Sequence, residues 1–194
     1  MTQAPTTFRR VQQRHFSAHH TLLRVARYEL VKAERKEAGW FDSTFVVLTF
    51  SALAIEALSN AIGDRIVPDW KDFESANPLA KIRLLAERLD LPYSSDSEPW
   101  KTIRWLGKFR NLVAHPKPEI ILDDKLITER EVDNRPFDPP KSKLEREVTI
   151  VNARRAFEAV EKAKLLFCEK IPTEDRFGLY SDSWSTSTSS ALGK

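Results

Sequence analysis

The chain reads as an all-α protein: a bundle of about five helices with a small β-hairpin-like insertion before the last one. Three observations predict this. Apolar residues recur at helical spacing in segments separated by Pro and Gly breaks. The five glycines (39, 63, 107, 178 and 193) are too few for the turns of a large all-β fold, and too scattered for a phosphate loop or a dinucleotide fingerprint. At 194 residues, 41% hydrophobic and 30% charged, the chain is long and apolar enough for one sizeable core.

The first helix is expected from about Phe8 to Glu37, with Leu22, Ala26, Leu30 and Ala33 on one stripe and Gly39 as its stop. Asp42 or Ser43 can cap a second helix that runs to about Gly63. Its apolar residues lie on nearly every side, which marks the centre of a bundle. A loop over Val67 to Ser75 follows. Asn77 then caps a short helix with Pro78 in its first position and Ile82, Leu85 and Leu89 on one side. Ser97 or Glu98 begins a fourth helix bearing Ile103, Leu106, Phe109 and Val113, closed by Pro116 and Pro118. The β-prone runs 120–122, 126–128 and 148–150, around a Pro-rich stretch at 136–140, suggest the insertion. Asn152 is expected to cap the last helix, whose stripe is Ala153, Ala156, Phe157, Val160, Ala163 and Phe167. One helical domain over 1–172 is thus expected, followed by a polar, disordered tail over 173–194.

Composition narrows the function. The net charge of +3 is compatible with a nucleic-acid partner and does not demand one. A single cysteine, Cys168, excludes an intrachain disulfide and a Cys-rich zinc site, and packing is its expected role. The polar start of the chain does not resemble a secretory signal. The most apolar window, 45–62, carries Glu56 and Asn60, so a buried core helix is a better reading than a membrane span. A cytoplasmic protein is expected. His15 and His19, four apart on the first expected helix, have a metal-compatible spacing, but no Cys or acidic ligand lies near them in sequence. No metal and no cofactor are expected. With Arg9, Arg10, Arg14, Arg24 and Arg27 these histidines make the N-terminal region basic, either a track for a phosphate backbone or a solvated face.

Chemistry concentrates on the fourth helix. At about 100° per residue, Lys108, Asn111 and His115 fall within roughly 40° of the line through Arg104, opposite most of the apolar positions. Arg110 lies about 120° away, near the apolar side, where its guanidinium needs a partner. Glu56 and Asn60 share one line of the second helix. The two helices are therefore expected to pack with Glu56 facing Arg110 and Asn60 near the Asn111 and His115 end.

Arg110-Asn111-Leu112-Val113-Ala114-His115 resembles the Arg-x4-6-His motif of HEPN-domain proteins, in the variant with a polar residue after Arg. The run Ala-Ile-Glu-Ala-Leu-Ser-Asn at 54–60 resembles the Glu-bearing helix of such domains, and the order of helices over about 15–170 is similar. The β-prone stretch after His115 and the tail lie outside that pattern. The resemblance implies a metal-independent endoribonuclease that pairs two motifs across a dimer cleft. Arg110 and His115 would be catalytic with Asn111 beside them, Glu56 and Asn60 would support them, and Arg104 and Lys108 would contact RNA. RNA brings its own nucleophile, the 2′-OH, so the protein has only protons and charge to manage. His115 suits proton transfer near neutral pH, and Arg110 can grip phosphate with a planar fork. A single imidazole does not easily serve as both base and acid, which favours a homodimer. Small HEPN proteins act as toxins or phage-defence effectors, so an antitoxin or regulatory protein is a further expected partner. The alternative is a non-catalytic HEPN-like module that binds RNA, a nucleotide or a protein. A purely structural Arg110–His115 arrangement is the third reading, and it requires no accessible cleft.

Overall fold

A computed structural model describes residues 8–124, 126 and 139–190. Helix α1 spans Ala18–Glu34 and buries His19, Leu23, Ala26, Leu30 and Ala33, one residue every helical turn. A turn with left-handed Lys36 and Gly39 reverses the chain into α2, Trp40–Ile66. Gly39, and not Asp42 or Ser43, occupies the N-cap of α2. Asn77 caps α3, Pro78–Arg88, by accepting the Leu79 N–H at 2.9 Å, as its sequence predicts. Helix α4 is Trp100–Ala114, with His115 at its C-cap and Trp100, Ile103, Leu106 and Phe109 facing the core.

The stretch before the last helix differs from expectation. Residues 120–124 carry no strand, 127–138 lie outside the described residues, and Lys143–Glu147 form a one-turn helix, α5. A reciprocal cap decides this locally. The Ser142 hydroxyl accepts the Glu145 N–H at 3.1 Å, and the Glu145 carboxylate accepts the Ser142 N–H at 2.8 Å. Helix α6, Ile150–Lys170, is capped by Thr149 in place of Asn152. Its seam of Ala153, Ala156, Val160 and Ala163 is small enough to bring α2 and α4 close.

Helix α2 packs against α1, α3, α4 and α6. By length and composition it could cross a membrane, yet half of its most apolar window is buried within the protein. That arrangement is compatible with a soluble protein. Near its C-terminal end, Gly63 receives the indole of Trp70 from a 3-10 turn, Trp70–Phe73. A Cβ at Gly63 would lie 2.2 Å from that ring.

The sheet that does form joins the chain ends. Strand β1, Phe8–His15, occupies the first part of the expected opening helix. Antiparallel to it runs β2, Ser183–Ser190, inside the segment read from sequence as a disordered tail. A lone two-stranded ribbon is marginal in water, and this one is anchored at its base. Arg14 bonds Asp182 at 2.7 Å, and His15 meets Phe177 edge-on at 4.7 Å. Leu179 is fully buried. His19 is buried, not a surface ligand. Its Nε2–H donates to the Leu179 carbonyl at 3.0 Å while Nδ1 accepts from the Ser17 hydroxyl at 2.6 Å. His20 donates to the Gly178 carbonyl at 2.9 Å.

Burial, reinforced by the adjacent His20, lowers the His19 pKa from 6.5 to about 4. Between those values the unfolded chain binds more protons than the folded one. The stability this contributes is complete above pH 6.5 and is lost as pH falls towards 4. Urea titrations across that window should show a loss of about 3 kcal/mol from this group, with a shallower slope in His19→Gln. Gly63→Ala should cost about 1–3 kcal/mol through overpacking against Trp70, read as a lower melting temperature.

Candidate functional site

Helix α4 presents the expected residues but divides them. Arg110 Nη2 stands 3.7 Å from Glu56 Oε2, so the second and fourth helices do bring these charges together. The pair is not buried: the two side chains retain 37% and 28% of their exposure. It therefore contributes no more than about 1 kcal/mol. Arg110 Nη1 also donates to Asn111 Oδ1 at 3.3 Å. A guanidinium has five N–H donors, so several remain for an anion.

Asn60 goes elsewhere. Its Oδ1 accepts from Lys81 Nζ at 2.9 Å, away from Asn111 and His115. Lys81 is almost completely buried, donates also to the Glu74 carbonyl at 2.7 Å, and lies over the Trp70 ring. The expected support of the motif helix by Asn60 is thus replaced by a structural tie between α2, the 3-10 turn and α3. Packing against α3, not a slot facing His115, decides its role.

His115 ends α4, its N–H donating to the Asn111 carbonyl at 2.9 Å. Its ring is exposed and, among the described residues, carries no hydrogen bond. It does not line the cavity that receives Arg110. Arg104 separates as well: it reaches Asp96 at 3.3 Å and borders a neighbouring depression with Tyr93 and Arg83.

Lys108, Arg110 and Asn111 instead line a cavity of about 520 Å³ between α2, residues 74–79 and α4. Its floor is apolar, with Ile55, Ile82 and Ile103, and Glu56 and Glu74 stand at its rim. Sequence reasoning missed the 74–79 wall, because only the tertiary fold brings the start of α3 against α4. It also passed over Gly107. Glycine inside a helix costs about 1 kcal/mol relative to Ala, yet a Cβ here would meet only Leu79 Cγ, at 4.0 Å. Packing does not require this glycine, and its bare backbone leaves the cavity wall open.

The remaining candidates are structural. Cys168 is buried and its thiol is pushed up to about 11 by desolvation, in keeping with a packing role. Among the described residues no three His, Cys, Asp or Glu side chains gather as a metal site.

Fold and site together define a helical bundle protein with a cation-lined, carboxylate-rimmed cavity beside its 27-residue central helix. Comparison of the chain with protein-family models, with curated proteins and with solved structures gives no match.

The two polar residues of α2 should separate in a stability measurement. Asn60→Ala strips the buried Lys81 ammonium of its side-chain acceptor and should cost about 1–3 kcal/mol in urea denaturation. Glu56→Ala removes a half-exposed ion pair and should stay within about 1 kcal/mol of the parent. Equal losses contradict this assignment.

Proposed function

We propose that the protein is a metal-independent endoribonuclease of the HEPN type, cytoplasmic and working as a homodimer. The reading is supported above all by one observation: Arg110 and Asn111 lie in the last turns of α4 and His115 at its C-cap, with the guanidinium half-exposed and the imidazole exposed. In this reading His115 takes the proton of a ribose 2′-OH as that oxygen attacks phosphorus. The guanidinium of Arg110, assisted by Asn111, holds the phosphate oxygens as negative charge builds on them. The P–O5′ bond breaks, and the 5′ oxygen takes a proton from the His115 of the second copy. The products are a 2′,3′-cyclic phosphate and a 5′-OH. Arg104 and Lys108 extend the cationic contact along RNA, and Glu56 keeps Arg110 oriented until phosphate arrives.

The second copy has a surface to use. Val46, Phe50, Leu53 and Ala57 form a partly exposed apolar stripe on α2, flanking Glu56. A second copy packed there would lie next to Glu56, the partner of Arg110. The biological role that follows is that of a toxin or phage-defence effector, held in check by an antitoxin or regulatory protein.

One observation favours the non-catalytic alternative: the cavity gathers Glu56, Lys108, Arg110 and Asn111 without His115. A module that only binds RNA, a nucleotide or a protein partner needs no more than that set.

Incubating the protein with single-stranded and structured RNA in EDTA separates the two. Cleavage with 2′,3′-cyclic phosphate ends is expected, falling by about 10²–10⁴-fold in His115→Ala with an unchanged melting temperature. Absence of cleavage by the parent, or equal cleavage by the variant, leaves only the binding module.

A further inference from the structure

The cavity beside Arg110 is larger than phosphate recognition needs. We propose that it is a nucleobase subsite, taking a guanine from single-stranded RNA whose phosphate rests on Lys108 and Arg110. This deepens the ribonuclease reading and rests on it for the identity of the polymer.

Size is the first argument. At about 520 Å³ the cavity falls within the range of small-molecule sites, about 300–1,000 Å³. Shape is the second. Ile55, Ile82 and Ile103 give an apolar floor, and the uncovered backbone at Gly107 gives an open wall against which a planar ring can lie. A Cβ at Gly107 would be tolerated by its neighbours and would favour the helix. Its absence makes room for a ligand, since among the described residues only Leu79 comes within 4.0 Å of that position.

Polarity is the third argument. Cations and carboxylates share the lining: Lys108 and Arg110 suit phosphate, whereas Glu56 and Glu74 do not. Glu56 is engaged by Arg110. The Glu74 carboxylate is exposed and has no partner among the described residues, its backbone carbonyl alone being taken by Lys81. An ionised carboxylate only accepts hydrogen bonds. It therefore reads a base edge that offers donors, and the Watson–Crick edge of guanine offers N1–H and N2–H side by side. Such an edge is free only in an unpaired nucleotide, which matches how sequence-specific proteins read RNA.

Binding of the four ribonucleoside 3′-monophosphates to the full chain, followed by calorimetry, tests this without requiring cleavage. Guanosine 3′-monophosphate should bind tightest. Gly107→Leu should weaken it at least tenfold with the fold retained by circular dichroism, and Glu74→Gln should weaken it at least fivefold. Should Gly107→Leu fail to fold, Gly107→Ala and the surface substitution Glu74→Gln decide alone. Unchanged affinity in Gly107→Leu and Glu74→Gln, tighter binding of another nucleotide, or no binding at millimolar concentration overturns the subsite. A nuclease failure appears instead as uncut RNA, so the two failures are distinguishable.

Discussion

The structure is organised by the need to cover α2. A 27-residue helix with a mean hydropathy of 1.8 over its most apolar window is costly to leave facing water on most of its sides. Packing α1, α3, α4 and α6 around it buries Val47, Leu48, Ile55, Leu58 and Ile62 completely or nearly so. That coverage is the dominant favourable contribution to the fold. Small residues make it possible. Ala52, Ala54, Ser51 and Ser59 on α2, with the alanine seam of α6, let the helices approach closely enough to exclude water. The side left least covered is the stripe through Val46, Leu53 and Ala57, and the candidate site borders it.

The cavity follows from the same geometry. Helix α4 buries Ile103, Leu106 and Phe109 toward the core, which turns Gly107, Lys108, Arg110 and Asn111 toward or along the gap beside α3. Asn77 starts α3 at the far side of that gap. The buried contact between Lys81, Asn60 and the Glu74 carbonyl sets how near the 74–79 segment stands to α4. Stability and site are thus coupled through one lysine. Loosening Asn60 leaves a buried charge without its side-chain acceptor beside the wall on which Glu74 sits.

Much of this was legible in the sequence. The apolar periodicity of α1, α3, α4 and α6 is a local property, so the elements and their core residues could be read directly, as could the meeting of Glu56 with Arg110. Burial of that pair could not be read, because exposure depends on how the neighbouring helices splay. The N-terminal residues 8–15 carry enough helix-compatible side chains to extend α1 on paper. Their partner strand lies some 170 residues further along, and no local signal reports so distant a pairing. Strand β2, rich in Ser and Thr, resembles a disordered tail by composition, and its order comes from Leu179, the histidines and Arg14 at its base. The Ser142–Glu145 cap was a different case. Its spacing is a helix-start signal in the sequence itself, and it outweighs the β-prone residues on either side.

Lys81, behind the cavity wall, and Arg110, in its lining, show how a small protein can hold two cations in opposite settings. Lys81 is sealed from solvent and held by neutral acceptors, the Asn60 amide and a backbone carbonyl, at 2.7–2.9 Å. No incoming anion can reach it, and its charge is committed to the fold. Arg110 has the opposite setting. Its carboxylate partner is 3.7 Å away, both groups are partly hydrated, and the pair is weak enough to exchange at little cost. A phosphate offering two oxygens to the guanidinium replaces a loose contact with a bidentate one, a gain that a tight buried pair would not permit. Under the proposed function, the looseness of the Glu56 contact, which makes it unimportant for stability, is the property that would leave Arg110 available to RNA phosphate.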